Sequence, residues 1–118
     1  MKKYWAEFLG TYILVFVGAG AIIINSVTEG TVSHLGIGLS FGFVVMAMIY
    51  AIGDISGAHI NPAVTIAFWV AKRFPSNQLL QYISFQIFGA ILASATLYFM
   101  FPNAVTMGET LPLKDNCM

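Results

Sequence analysis

Residues 53–73, GDISGAHINPAVTIAFWVAKR, constrain the fold more than any other part of the chain. One apolar run ends at Gly53, a small polar segment follows (Asp54, Ser56, Gly57, Ala58, His59), and a second apolar run begins directly after Asn61-Pro62-Ala63. Asn is a preferred N-cap and Pro is favoured at the first helical position, so Asn61-Pro62 marks a helix start. The spacing predicts a helix over residues 62–73, about 18 Å long at ~1.5 Å per residue. Lys72 and Arg73 suit the negative end of its dipole, and Pro75 is its expected stop. A bilayer core is ~30 Å thick. Such a helix is too short to cross and too apolar for water, which leaves a re-entrant half-span.

Composition points the same way. Hydrophobic residues make up 58% of the 118 and charged ones 8%, where soluble domains carry about 25% charged. The mean hydropathy is +0.83. A net charge of zero argues against a nucleic-acid surface. The single cysteine, Cys117, excludes an intrachain disulfide framework and offers no metal cluster. In a tail, it also implies insensitivity to mercurials. The short basic start leads into an apolar run with no small-residue cleavage site, so it reads as a retained span and not as a signal peptide.

The expected architecture is an all-α membrane protein with three transmembrane helices, at about 5–24, 35–53 and 79–101, plus the half-helix. Tyr4 and Trp5 are interfacial anchors. Residues 25–34 form a polar connection without Lys or Arg, and residues 102–118 form a loose polar tail. Lys2, Lys3, Lys72 and Arg73 then share one side, which the positive-inside rule makes cytoplasmic, with the tail outside. No second Asn-Pro-Ala segment or other internal repeat is present.

Backbone that turns back at membrane depth is tolerated only against protein or a wet cavity. Gly57 and Ala58 are small enough to let carbonyls face a passage. The half-helix start brings free N–H groups and about half a positive charge to mid-membrane. Asn61 caps it through its oxygen and keeps an amide donor. Carbonyl acceptors leading to one donor under positive potential suit a neutral hydrogen-bonding solute and repel cations. A bare Asn-Pro-Ala is usually no more than a cap beside a turn; its place between a span and a half-helix points to a pore. Glu7 either snorkels to the near surface or finds a buried partner, since a lone carboxylate in the membrane is costly. Gly38 and Gly42 form a GxxxG pattern that reads as close span packing. No metal ligand lies at usable spacing from His59, and no nucleophile-base pair or cofactor motif supports an enzyme.

At SGAHINPAVT (residues 56–65), AEFLGT (6–11) and FQIFGA (85–90) the chain resembles the aquaporin and aquaglyceroporin family, the major intrinsic proteins. The resemblance covers about residues 4–101 and only the first half of the family's fold, which has two inverted repeats whose half-helices meet at the pore centre. It implies a tetramer with one pore per subunit and passive passage of water or a small neutral solute across the plasma membrane. It further implies that Asn61 donates to the passing molecule and that Pro62 and Ala63 pack against the opposing half-helix. The carbonyls of Gly57, Ala58 and His59 would line the channel, and Glu7 and Gln86 would brace the loop. Phe41 would stand at the aromatic constriction, where Phe favours water and Trp glycerol; by itself it equally suits ordinary span packing. The second Asn-Pro-Ala and its following Arg are absent. The chain is therefore expected to be a fragment of a longer pore or to pair with a separate second half; pairing of two copies in opposite orientation is opposed by the one-sided Lys/Arg pattern, and the alternative function is a non-conducting membrane subunit.

Overall fold

The computed structural model describes residues 1–110, which hold four helices: α1 (Lys2–Val27), α2 (Ser33–Ser56), α3 (Pro62–Val70) and α4 (Ser76–Met100). Residues 111–118, with Pro112, Lys114 and Cys117, lie outside the described part. Helices α1, α2 and α4 are each long and apolar enough to cross a membrane. Most of their ends run two or three residues past the apolar runs, because helix continues into the headgroup layer, where no apolar pattern is needed. Past α1 the chain turns through Glu29 and Gly30, both at positive φ, with Gly30 N–H donating to Asn25 C=O at 2.8 Å. That is a Schellman close. The Asn25 side chain then accepts from Ser33 N–H at 2.8 Å and ties α2 to α1.

Helix α3 is shorter than the sequence suggests. It has nine residues, about 13 Å at ~1.5 Å each, and ends at Val70 instead of Arg73. The stop is Lys72, in the left-handed region at φ 59°, with Lys72 N–H donating to Trp69 C=O and Arg73 N–H to Phe68 C=O. This too is a Schellman close, made without the glycine that would have announced it. Pro75 does not end α3; it holds the extended position just before α4.

Helix α1 is the hub, packing against both α2 and α4, while α3 packs against α4 alone. The molecule measures 44 × 35 × 23 Å, so its thin dimension is about two helix diameters. Closest approach comes at Gly89, where a Cβ would run into Phe8 C=O and the Tyr12 backbone nitrogen of α1. Backbone cannot step aside as a side chain can. Gly89→Ala should therefore destabilise the α1/α4 pair by about 1–3 kcal/mol, the usual cost of overpacking, measured as a lower unfolding midpoint in detergent. The GxxxG expectation is corrected: a Cβ at Gly38 or Gly42 meets nothing within 4 Å, so no described helix packs on that face of α2.

The tail does not hang loose as far as Thr110. A turn over residues 101–104, with Pro102 second and Ala104 N–H donating to Phe101 C=O at 3.1 Å, reverses the chain. Gly108, at φ +83°, then lies against Ala19 of α1.

Candidate functional site

The segment joining α2 to α3 is held from three sides. Glu7, fully buried, accepts four hydrogen bonds. Its Oε1 takes Ser56 Oγ at 2.7 Å and His59 N–H at 2.9 Å. Its Oε2 takes Ile60 N–H at 2.6 Å and Gln86 Nε2 at 2.8 Å. Glu7 therefore does not snorkel; the loop's own amides stand in for water around the carboxylate. On the α1/α2 side, Ile60 packs into a cluster with Ala6 and Ile52. A Cβ at Gly10 would collide with Ile60 and Ile52, so the bare helix at Gly10 makes the slot for this anchor. On the α4 side, the Tyr82 hydroxyl donates to Ser56 C=O at 2.9 Å.

These ties fix a strained backbone. Gly57, Ala58 and Ile60 all have positive φ, at 86°, 48° and 44°. For a β-branched residue such as Ile60 this is a true outlier, held only because its surroundings over-determine it. The N–H groups of residues 57–60 all point at protein acceptors: Gly53 C=O, Ser56 Oγ and the two Glu7 oxygens. The carbonyls of Gly57, Ala58 and His59 accept nothing among the described residues. The loop thus commits its donors to protein acceptors and leaves a run of three carbonyls unpaired.

Asn61 begins α3 with extended backbone, and its Oδ1 accepts from Ala63 N–H at 2.8 Å. The side-chain NH2 stays free and Asn61 is exposed. The depth of this tip follows from α4, 25 residues or about 37 Å long. Gln86 Nε2 donates to Thr65 Oγ1 at 2.9 Å, about 15 Å from the start of α4. Asn61 lies one further turn in. The other end of α3 is pinned at the basic side, where Trp69 Nε1 donates to Ser76 Oγ at 2.8 Å. The half-helix aims its N-terminus at the middle of the bundle.

The remaining sequence-derived residues fall as follows. His59 is buried with its ring between Phe68 (centroids 4.8 Å apart), Phe74 (5.0 Å) and Tyr82 (5.3 Å), and Nδ1 lies 3.1 Å from Thr65 Oγ1. It is a wedge. Pro62 and Ala63 sit on the uncovered side of α3. Phe41 lies far from the loop, about 22 Å before the end of α2, with its ring over Gly18 where a Cβ would collide. It is still 36% exposed, so packing uses only part of the ring.

Sequence reasoning did not single out Thr65, Tyr82 or Ile60. Tyr82, Gln86, Gly89, Ala93 and Leu97 are the buried residues of α4, and their three- and four-residue spacing is the signal that would have placed Tyr82 beside Gln86. Thr65 is a lone buried hydroxyl on α3, and no pattern marks it.

The family model for major intrinsic proteins matches residues 1–116. The chain is 50% identical over 101 residues to Aquaporin NIP1-1 of Zea mays, covering 86% of this chain and 36% of that protein. It is 42% identical over 111 residues to Aquaporin Z of Photorhabdus laumondii, covering 93% and 48%. The aquaglyceroporin of Plasmodium falciparum superposes with a TM-score of 0.74 at 32% identity, over 86% of this chain and 42% of that one. The chain spans between about a third and a half of the length of these relatives. With three apolar spans and this match along nearly its whole length, the chain is an integral membrane protein and belongs to the major intrinsic protein family.

Proposed function

We propose that the chain forms one half of a pore for passive transmembrane passage of water. The observation that carries this reading is the run of unpaired carbonyls at Gly57, Ala58 and His59, ending at the exposed, unpaired amide of Asn61. A neutral molecule entering there exchanges its hydrogen bonds with bulk water for carbonyl acceptors, then meets one donor at a positive helix end. A cation is opposed by that same half charge. Passage is facilitated diffusion, with no catalytic step.

Pro62 and Ala63 face the wall that completes the pore, either the remaining half of a longer chain or a separate second half, and four such pores form a tetramer. Phe41, in the opposite half of the bilayer, contributes an aromatic edge to the constriction. Glu7 and Gln86 hold the loop that carries the carbonyls. Lys2, Lys3, Lys72 and Arg73 set the N-terminus in the cytoplasm, and a plasma-membrane location follows from the transport role.

The likeness to an aquaglyceroporin supports a second reading, a channel for glycerol or another small neutral solute. Vesicles containing the completed pore should shrink several-fold faster than empty vesicles under a sucrose shock, and swell little faster in isotonic glycerol. Fast glycerol swelling would favour the second reading. Shrinkage no faster than empty vesicles, with the protein shown to be inserted, would leave a non-conducting subunit that only binds partners.

A further inference from the structure

On the outer seam of α1 and α4, away from the loop, runs an apolar groove of about 520 Å³. Trp5, Phe8, Phe85, Phe88, Leu92 and Ala95 are among its lining residues. From Phe85 to Ala95 the groove follows α4 for about 15 Å. That is half of a ~30 Å hydrocarbon core, the reach of one acyl chain in one leaflet. Its shape is set by stacked rings: Trp5 lies 5.6 Å from Phe8 and 5.3 Å from Phe85, both edge to face.

The mouth of this groove is basic. Lys3 Nζ donates to Gln78 Oε1 at 2.5 Å, and Gln78 stands two turns above Phe85 on the same side of α4. Lys2 is exposed in the same turn of α1. The first turns of α1 and α4 carry no acid. Glu7 is buried with all four of its bonds made, and Asp54, the exposed acid at this end, is on α2, which reaches α4 at Ser56, through the Tyr82 hydroxyl on the loop side. Positive charge at the basic end of α1 and α4 thus stands above an apolar slot as long as one leaflet, whose upper edge at Phe85 lies about 10 Å below Gln78.

We propose that this groove seats one acyl chain of an anionic phospholipid from the Lys-bearing leaflet, with Lys2 and Lys3 holding its phosphate. Trp5 lines the groove near its mouth and reports occupancy directly. In a Trp69→Phe background it is the remaining tryptophan. The full chain is reconstituted in vesicles containing phosphatidylglycerol or phosphatidylcholine with brominated acyl chains, and quenching of Trp5 is titrated. Brominated phosphatidylglycerol should half-quench Trp5 at a mole fraction on the order of five- to thirty-fold lower than brominated phosphatidylcholine, the factors that one and two basic side chains near an anionic surface supply. Lys2→Gln with Lys3→Gln should erase the difference while helicity by circular dichroism holds. Ala95→Phe, which fills the slot, should weaken quenching by both lipids. Equal quenching by the two lipids in the parent protein would overturn the proposal. So would quenching that Ala95→Phe leaves unchanged, or a Trp5 that neither lipid reaches because protein covers it.

Discussion

Glu7→Gln should unseat the re-entrant loop. Each Glu7 oxygen accepts two hydrogen bonds, so whichever way a glutamine amide is turned, its NH2 faces two donors and can accept from neither. One orientation orphans His59 N–H and the other Ile60 N–H, while Ser56 Oγ can turn to Ile52 C=O and Gln86 Nε2 keeps Thr65 Oγ1. An orphaned buried donor costs about 1–3 kcal/mol. The same bonds hold Ile60 in its left-handed strain, so the loss falls on the loop before it falls on the spans. Exchange of the His59 and Ile60 amides should rise on the order of 30-fold, the factor matching ~2 kcal/mol of local opening, while the interior amides of α1 and α4 change little. Water flux through the completed pore should fall in parallel. Unaltered exchange at both amides in the variant would refute the bracing role.

Asn61→Asp should do the reverse, sparing the fold and impairing passage. An aspartate caps a helix as well as asparagine does and is favoured by the positive helix end, so the unfolding midpoint should stay within error. What changes is the exposed face of the side chain: the free amide donor becomes a carboxylate acceptor. A water arriving from the carbonyl run of residues 57–59 then meets acceptors on both sides and no donor to hand on to. A barrier higher by about 1.4–3 kcal/mol would slow shrinkage ten- to a hundredfold in reconstituted vesicles. Undiminished flux in the inserted variant would remove Asn61 from the conduction path. Paired with Glu7→Gln, the experiment separates support from conduction, because one variant loosens the loop and the other leaves it intact.

The spans and the half-helix were legible because membrane insertion writes itself as apolar length, and Asn61-Pro62 writes a helix start. The end of α3 was not legible. It depends on Lys72 adopting a left-handed backbone, which lysine does only when the surrounding contacts favour it. Gly38 and Gly42 show the opposite failure: a motif states that close packing is possible, not that a partner is there. The close contact falls instead at Gly89, within a stretch the family resemblance had flagged for another reason. Glu7 and Gln86 were legible as costly polar groups in apolar helices, which must find partners. Thr65 and Ile60 were not, since a single hydroxyl and one more isoleucine look ordinary until the loop is folded around them.

The loop's anchors come from helices on either side of it in the chain: Glu7 lies 49 residues before Ser56, and Gln86 lies 21 residues after Thr65. During synthesis the half-helix therefore leaves the ribosome before one of its clamps exists. Until α4 enters the bilayer, Thr65 lacks its Gln86 contact and α3 has no helix to lean on. The later span α4 is thus the one that draws the short helix down to the midplane, so this region assembles backwards relative to the order in which it is made. Cysteine labelling of nascent chains halted before Gln86, set against longer ones, would read that delay as an α3 still open to water.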